Sequence, residues 1–228
     1  MKCLELFSGT HSVGTCCKEL GIDVLSLDID GRADINMSIL EWDYKKYDKN
    51  EFDIIWASPP CSTFSCLQYS WIGRNRDGKI FTREDIDKDM KEKGDPLIEK
   101  ALEIINYFNP ELWFIENPET GRMKTRPFMK ELPYYVVDYC MYSDWGYRKR
   151  TRIWTNKKDW IPLKCDGKGT CGNMVGSLHQ TNLGNTERLH RAESQLKQTE
   201  DLCGRKKRAR LDMRYRIPSD LIYSLLLD

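Results

Sequence analysis

Short apolar runs alternate with polar, glycine-bearing loops through the first two thirds of the chain, a rhythm that predicts strands and helices in turn. Cys3-Leu4-Glu5-Leu6-Phe7 reads as a first strand, and Ser8 to Gly14 as a loop entering a helix from about Ser12 to Leu20, stopped by Gly21. Ile22 to Leu27 reads as a second strand ending at Asp28-Ile29-Asp30. The run Asp53-Ile54-Ile55-Trp56-Ala57-Ser58-Pro59-Pro60-Cys61-Ser62 predicts a buried strand cut short by two prolines, neither of which can donate to a sheet ladder. Cys61 is thereby presented at the tip of a stiff turn. Asp95-Pro96 reads as an N-cap with proline at the first helical position, and Ile98, Ala101, Leu102, Ile105 and Phe108 share one face of a core-packing helix. Leu112-Trp113-Phe114-Ile115 is the next buried strand and ends at Glu116-Asn117-Pro118. Tyr134 to Tyr142 reads as another strand. In the extended stretch from Tyr147 to Trp154, Arg148, Arg150 and Arg152 fall on one side. Ser219 caps a last helix, Leu221 to Leu227.

Strand, loop, helix, strand with an acidic end: this order is the first half of a nucleotide-type α/β sheet. In such sheets the ligand crevice lies along the carboxyl ends of the strands, where Cys61 and Glu116 both emerge. A glycine loop before a helix lets a ligand approach the backbone, and an acid ending the second strand is placed to bind a ribose. Taken one at a time, Cys61 is either a nucleophile or a buried structural thiol, and Glu116 either a reactive acid or a solvated carboxylate. The polar stretch from Ser62 to about Gly94 carries Arg74, Arg76, Lys79 and Arg83 among Trp71 and Phe81, and reads as a structureless functional loop suited to a nucleic-acid contact.

Composition narrows the classes. At 228 residues the chain supports one sizeable core with an elaboration. Lys+Arg 36 nearly cancels Asp+Glu 35, so any nucleic-acid site is a local basic face rather than a global field. Nine cysteines, an odd number without a disulfide framework, suit a reducing compartment. With no signal-like segment and no apolar run long enough for a bilayer, the expectation is an intracellular, cytoplasmic protein with no membrane partner.

Four pieces standing in one order resemble the cytosine-C5 DNA methyltransferase family, over about Lys2 to Trp154. Glu5-Leu6-Phe7-Ser8-Gly9 is similar to that family's cofactor loop, Pro60-Cys61 to its nucleophile loop, Glu116-Asn117 to its Glu-Asn pair, and Arg150-Thr151-Arg152 to its Arg-x-Arg. The resemblance implies a Rossmann-like S-adenosylmethionine-dependent methyltransferase fold, α/β, with a mostly parallel sheet flanked by helices. It implies S-adenosyl-L-methionine as cofactor, held by Glu5, Phe7, Ser8, Gly9, Thr10, His11, Ser12, Asp28, Ile29, Asp34, Ile35 and Pro60. It implies that the Cys61 thiolate adds to cytosine C6, that Glu116 stabilises the charge arriving on the ring, that Arg152 holds the base carbonyl, and that Arg150 positions Cys61 or the backbone. Ser62, Arg74, Arg76 and Arg148 are candidate DNA contacts. Ser62 stands where the family more often has glutamine, Pro118 where it has valine, and Arg148 where it has glutamine.

The implied domains are 1–154, catalytic; 155–214, a reduced target-recognition region or insert; and 215–228, a helix packing back on the catalytic part. About sixty residues is small for target recognition, so RNA as the substrate, a partner subunit that supplies recognition, and a silent cofactor-binding subunit all stay open. Cys165, Cys171, His179 and Cys203 invite a count as zinc ligands. The six-residue step between the first two is wider than usual, and the expectation is no metal. Lys206, Lys207 and Arg208 lie in a basic cluster that suits phosphates or a nuclear signal.

Overall fold

The computed structural model describes residues 1–181 and 212–227. Its principal strands are β1 (Lys2–Leu6), β2 (Asp23–Asp28), β3 (Ile35–Asn36), β4 (Ile54–Ala57), β7 (Leu112–Pro118), β8 (Tyr134–Asp138) and β9 (Arg150–Thr155). Two short ribbons pair β5 (Asn75–Arg76) with β6 (Lys79–Ile80), and β10 (Met174–Val175) with β11 (Leu178–His179). The main sheet runs β3-β2-β1-β4-β7-β9-β8, parallel from β3 to β7 and antiparallel at β9.

Helices cover both faces, because nearly every central strand residue is apolar and must be buried on whichever side it points. Leu4, Leu6, Ile55, Ala57, Ile115 and Trp154 share one core with Ile98, Ala101, Ile104, Ile105 and Phe108 of α3 (Asp95–Phe108). Cys3, Ile54, Trp56, Phe114 and Ile153 share the other with Val13, Cys16 and Cys17 of α1 (Ser12–Glu19), and with Leu221, Ile222 and Leu225 of the helix Ser219–Leu227. That helix docks on α1, with Ile217 N–H donating to Ser12 Oγ at 3.1 Å and Tyr223 OH donating to Glu19.

Three expectations need correction. The stretch after Cys61 is not structureless: it holds the β5–β6 ribbon and α2 (Arg83–Asp89), whose start Thr82 and Asp85 close with a reciprocal capping box. Asp95 does not cap α3. A wide π-type turn, Met90–Gly94, joins α2 to α3 without a break, and the buried Asp95 carboxylate instead accepts from Arg126 Nε at 2.7 Å. The local N-cap pattern was overridden by a longer helical path in which Pro96 sits just past a turn of relaxed bonding. Finally, the strand read as Tyr134 to Tyr142 ends at Asp138, and Tyr139–Met141 form a single helical turn.

Candidate active site

Three strand ends lie side by side, since Leu6 of β1 pairs with Ala57 of β4 and Ala57 with Ile115 of β7. The loops leaving β1 and β4 carry the glycine turn and Cys61, and Glu116 is the residue of β7 that follows Ile115. Pro59 is buried and Pro60 exposed. Asn117 Nδ2 donates to Pro59 O at 2.9 Å, which ties the proline turn to the end of β7.

Glu116 is 6% exposed, and its Oε1 accepts from Tyr139 OH at 2.9 Å and lies 3.5 Å from Lys149 Nζ. Lys149, itself buried, also donates to Arg214 O at 3.3 Å and rests 4.7 Å from the Tyr139 ring centre. Cys61 feels the same pair: burial pushes its thiol above the usual range, Lys149 draws it back down, and Glu116 pushes it up again. Tyr215 adjoins them, its phenol raised by burial and by Cys61. A thiol, an acid and a cation thus converge at one strand edge, in a site dry enough for each to matter to the others.

The register of β9 divides its cations. Glu116 pairs with Ile153 and Asn117 with Arg152, so Thr151 and Ile153 share the Glu116 face while Arg150 and Arg152 share the other, and Lys149, just before the strand, reaches Glu116. Arg152 binds Glu119 through two bonds of 2.6 and 3.0 Å and lies 3.7 Å from the Tyr134 ring centre. Arg150 binds Asp138 through two bonds of 2.9 and 2.7 Å. The geometry therefore does not bring these arginines to Cys61: one residue of strand parity separates them from Glu116. Arg148 is exposed, as are Ser62 and the hairpin carrying Arg74 and Arg76, whose guanidinium groups lie over Trp71 and Phe81 at 5.8 and 5.1 Å. Lys206, Lys207 and Arg208 lie outside the described residues.

Beside this edge, the β1 turn departs from ordinary backbone. Phe7 and His11 hold positive φ of 58° and 56°, and Gly9 of 43°. Gly9 N–H and Asp30 N–H both donate to Asp28, at 2.9 Å each, so the acid closes the turn. Ile29 beyond it is 80% exposed, an unpacked apolar face at the end of β2. Glu5 is 3% exposed, with Val13 N–H donating to Oε1 at 3.2 Å, while Oε2 and the buried Ser8 Oγ have no hydrogen-bond partner among the described residues. His11 Nδ1 is 3.8 Å from that free oxygen. Burial pushes the Glu5 carboxyl up to about 7, against the pull of the Gly14 and Val13 amides. A Cβ on Gly14 would come within 2.6 Å of Oε2. Two buried oxygens at the end of β1 and an exposed apolar platform after the neighbouring β2 are what a polar, purine-bearing ligand would complete.

Other expected cofactor residues are engaged within the chain. Asp34 is exposed and accepts from Ser26 N–H and Oγ–H at 2.9 and 2.6 Å, and the Ser26 hydroxyl holds its carboxyl below the usual range. Ile35 packs at the margin of the α3-side core. Thr10 Oγ1 and Ser12 Oγ bond each other at 2.8 Å, and Ser12 also receives the Ile217 amide.

A curated protein of Frog virus 3 (isolate Goorha), named "Probable DNA (cytosine-5)-methyltransferase", is 49% identical over 176 residues, covering 76% of this chain and 79% of that protein. The chain belongs to the DNA (cytosine-5)-methyltransferase family. No family profile matches it. Among solved structures, the Entamoeba histolytica methyltransferase EhMeth superposes with a TM-score of 0.57 at 12% identity, over 99% of this chain and 96% of that one, which fixes the methyltransferase fold. The Dnmt2 methyltransferase of S. pombe aligns with a TM-score of 0.45 at 15% identity, over 70% of this chain and about half (51%) of its own.

Two residues of this methyltransferase's site escaped sequence reasoning, Lys149 and Tyr139. For Lys149 a signal existed: it is the cation out of step with the three alternating arginines, so it must face the other side of the sheet. Tyr139 had none, because the turn that aims it follows a strand whose end the pattern misplaced. The sequence expectation was no metal. It rested on the six-residue step between Cys165 and Cys171. Cys203 lies outside the described residues, and the structure gathers Cys140 with Cys165, Cys171 and His179 instead.

Proposed function

We propose that the protein transfers a methyl group from S-adenosylmethionine to C5 of cytosine in DNA, with Cys61 as the covalent nucleophile. The observation that carries this reading is the convergence of Cys61, Glu116 and Lys149 at the ends of β4 and β7, next to the strained β1 turn. Glu5, Ser8, Gly9, Asp28 and Ile29 would hold the methyl donor, which when bound supplies an electrophilic methyl on sulfur.

The chain's own residues prepare the acceptor. Cytosine C5 is a poor nucleophile, and addition of the Cys61 thiolate to C6 turns the ring into an enamine that attacks through C5. Lys149 favours the thiolate that burial disfavours. Glu116 reaches the base at N3, and Tyr139 and Lys149 orient its carboxyl by holding Oε1. Loss of the C5 proton and of the Cys61 sulfur restores the ring. A cytosine inside a duplex must leave the stack to meet Cys61. The exposed hairpin with Arg74 and Arg76 beside Trp71 and Phe81 is suited to holding the opened strand. The name of the viral relative favours DNA as the polymer.

The test is covalent trapping on duplex DNA carrying 5-fluorocytosine, with S-adenosylmethionine present. An adduct that denaturant does not dissociate is expected for the wild type and lost in Cys61→Ala. Tritium transfer to DNA and RNA in parallel checks the polymer. Absence of any adduct from a protein that still binds S-adenosylmethionine would point to the silent-subunit reading.

A further inference from the structure

Away from the strand edge that carries Cys61, a second cluster of reactive side chains has no part in methyl transfer. Cys140 lies in the turn after β8, Cys165 and Cys171 in the loop after β9, and His179 at the end of β11. Their ligating atoms all lie within 4.8 Å of one another. His179 Nε2 stands 3.6 Å from Cys165 Sγ and 3.5 Å from Cys171 Sγ. A tetrahedral zinc with Zn–S of about 2.3 Å and Zn–N of about 2.05 Å sets its S···N edges at about 3.6 Å. The two observed edges match it. The other separations lie within 4.8 Å, against roughly 3.8 Å expected of an S···S edge, so an inward movement of about 1 Å at most completes the tetrahedron.

The surroundings are those of a held ligand set. Cys140 and Cys165 are 1% and 4% exposed. Gly167 N–H points at Cys165 Sγ at 3.4 Å. Cys165 N–H donates to Asp138, which Arg150 also grips. The buried Asn173 amide donates to Cys140 O, Cys171 O and Ser143 O, at 2.8, 3.0 and 2.7 Å, and accepts from Gly146 N–H at 2.9 Å. One side chain therefore fixes the backbone of two ligand-bearing segments, as outer partners of metal ligands do.

We propose that Cys140, Cys165, Cys171 and His179 form a structural zinc site that pins residues 156–181 to the β8 edge of the sheet. Three thiolates and an imidazole close the coordination sphere, so no position is left for a reacting water. On binding, the thiols give their protons to solvent and the imidazole binds through its Nε2 lone pair. The need is physical. Residues 156–181 bring few apolar side chains inward: Ile161, Leu163, Val175 and Leu178 are all exposed, and β10–β11 is a ribbon of two-residue strands. A ribbon that small does not hold its shape alone, and a metal supplies what a core cannot. The arginine that the family resemblance pointed at Cys61, Arg150, is bound instead to the Asp138 that braces the Cys165 backbone. This inference does not depend on the proposed methyl transfer, and neither result decides the other.

The experiment uses the full chain, purified without chelator. Elemental analysis is expected to find about one zinc per chain, and replacement by Co(II) the ligand-field absorption of a tetrahedral thiolate site. Cys171→Ser and His179→Ala are each expected to weaken zinc at least tenfold against a chromophoric chelator, whereas Cys66→Ser, an exposed cysteine elsewhere, leaves it unchanged. The wild-type stoichiometry and cobalt spectrum do not depend on any variant folding. A folded protein without bound metal, zinc retained undiminished in both ligand variants, or an intact mass two hydrogens low from a disulfide would overturn the site.

Discussion

Lys149 Nζ lies 3.5 Å from Glu116 Oε1, both side chains are buried, and Arg150 and Arg152 of β9 fall on the face of the sheet opposite Glu116. The cation that serves the reactive edge is therefore Lys149. Removing its charge removes the cation that draws the Cys61 thiol down against burial.

Lys149→Gln is expected to move the Cys61 thiol further up, so that less thiolate exists at neutral pH. Adduct formation on 5-fluorocytosine DNA should fall about 10- to 100-fold near neutrality and recover in part as pH rises. The check is the pH profile of trapping for both proteins. An unchanged alkaline limb would remove Lys149 from the site.

Arg152 is expected to act on stability first. Its two bonds to Glu119, with a further bond from Lys124, hold the Glu119 carboxyl below the usual range although burial pulls the other way. Arg152→Ala should cost about 1–3 kcal/mol by urea unfolding, and a double-mutant cycle with Glu119→Gln should show the two are coupled. A variant of wild-type stability whose KM for DNA rises instead would return Arg152 to the base.

Glu5 gives the fold a pH dependence of definite sign. Its carboxyl is raised to about 7 from an ordinary 4.5. Below the lower value both folded and unfolded chains hold the proton, and the contribution is constant. Between the two, the unfolded chain loses its proton while the folded chain keeps it, so stability falls as pH rises; above about 7 the loss is complete, on the order of 3 kcal/mol. Glu5→Gln should flatten this slope in urea titrations run across the interval. A slope that persists in Glu5→Gln would assign it elsewhere.

Gly94 lies where α3 meets the loop that follows Cys61. A Cβ there would come 2.5 Å from Phe64 Cζ and 2.8 Å from Thr63 Oγ1, and Phe64 is itself buried, so it has little room to yield. Gly94→Ala should destabilise by about 1–3 kcal/mol and slow trapping, because the displaced ring is three residues from the nucleophile. Calorimetry and the trapping assay check the two effects separately.

The amino-acid order alone was enough to foresee the alternating strands and helices, the proline stop that presents Cys61, and the emergence of Glu116 at the end of a neighbouring parallel strand. Those features follow from local causes: apolar runs must be buried, prolines cannot donate, and parallel strands place their reactive ends along one edge. Tertiary structure decided what depends on register and on distant partners. Whether Arg152 or Lys149 faces Glu116 turns on a single step in the β7–β9 pairing, since neighbouring strand residues point to opposite faces. Whether Asp95 caps a helix or pairs with Arg126, and whether Cys140 joins Cys165, Cys171 and His179, turns on contacts between segments far apart in the chain, which no local spacing encodes.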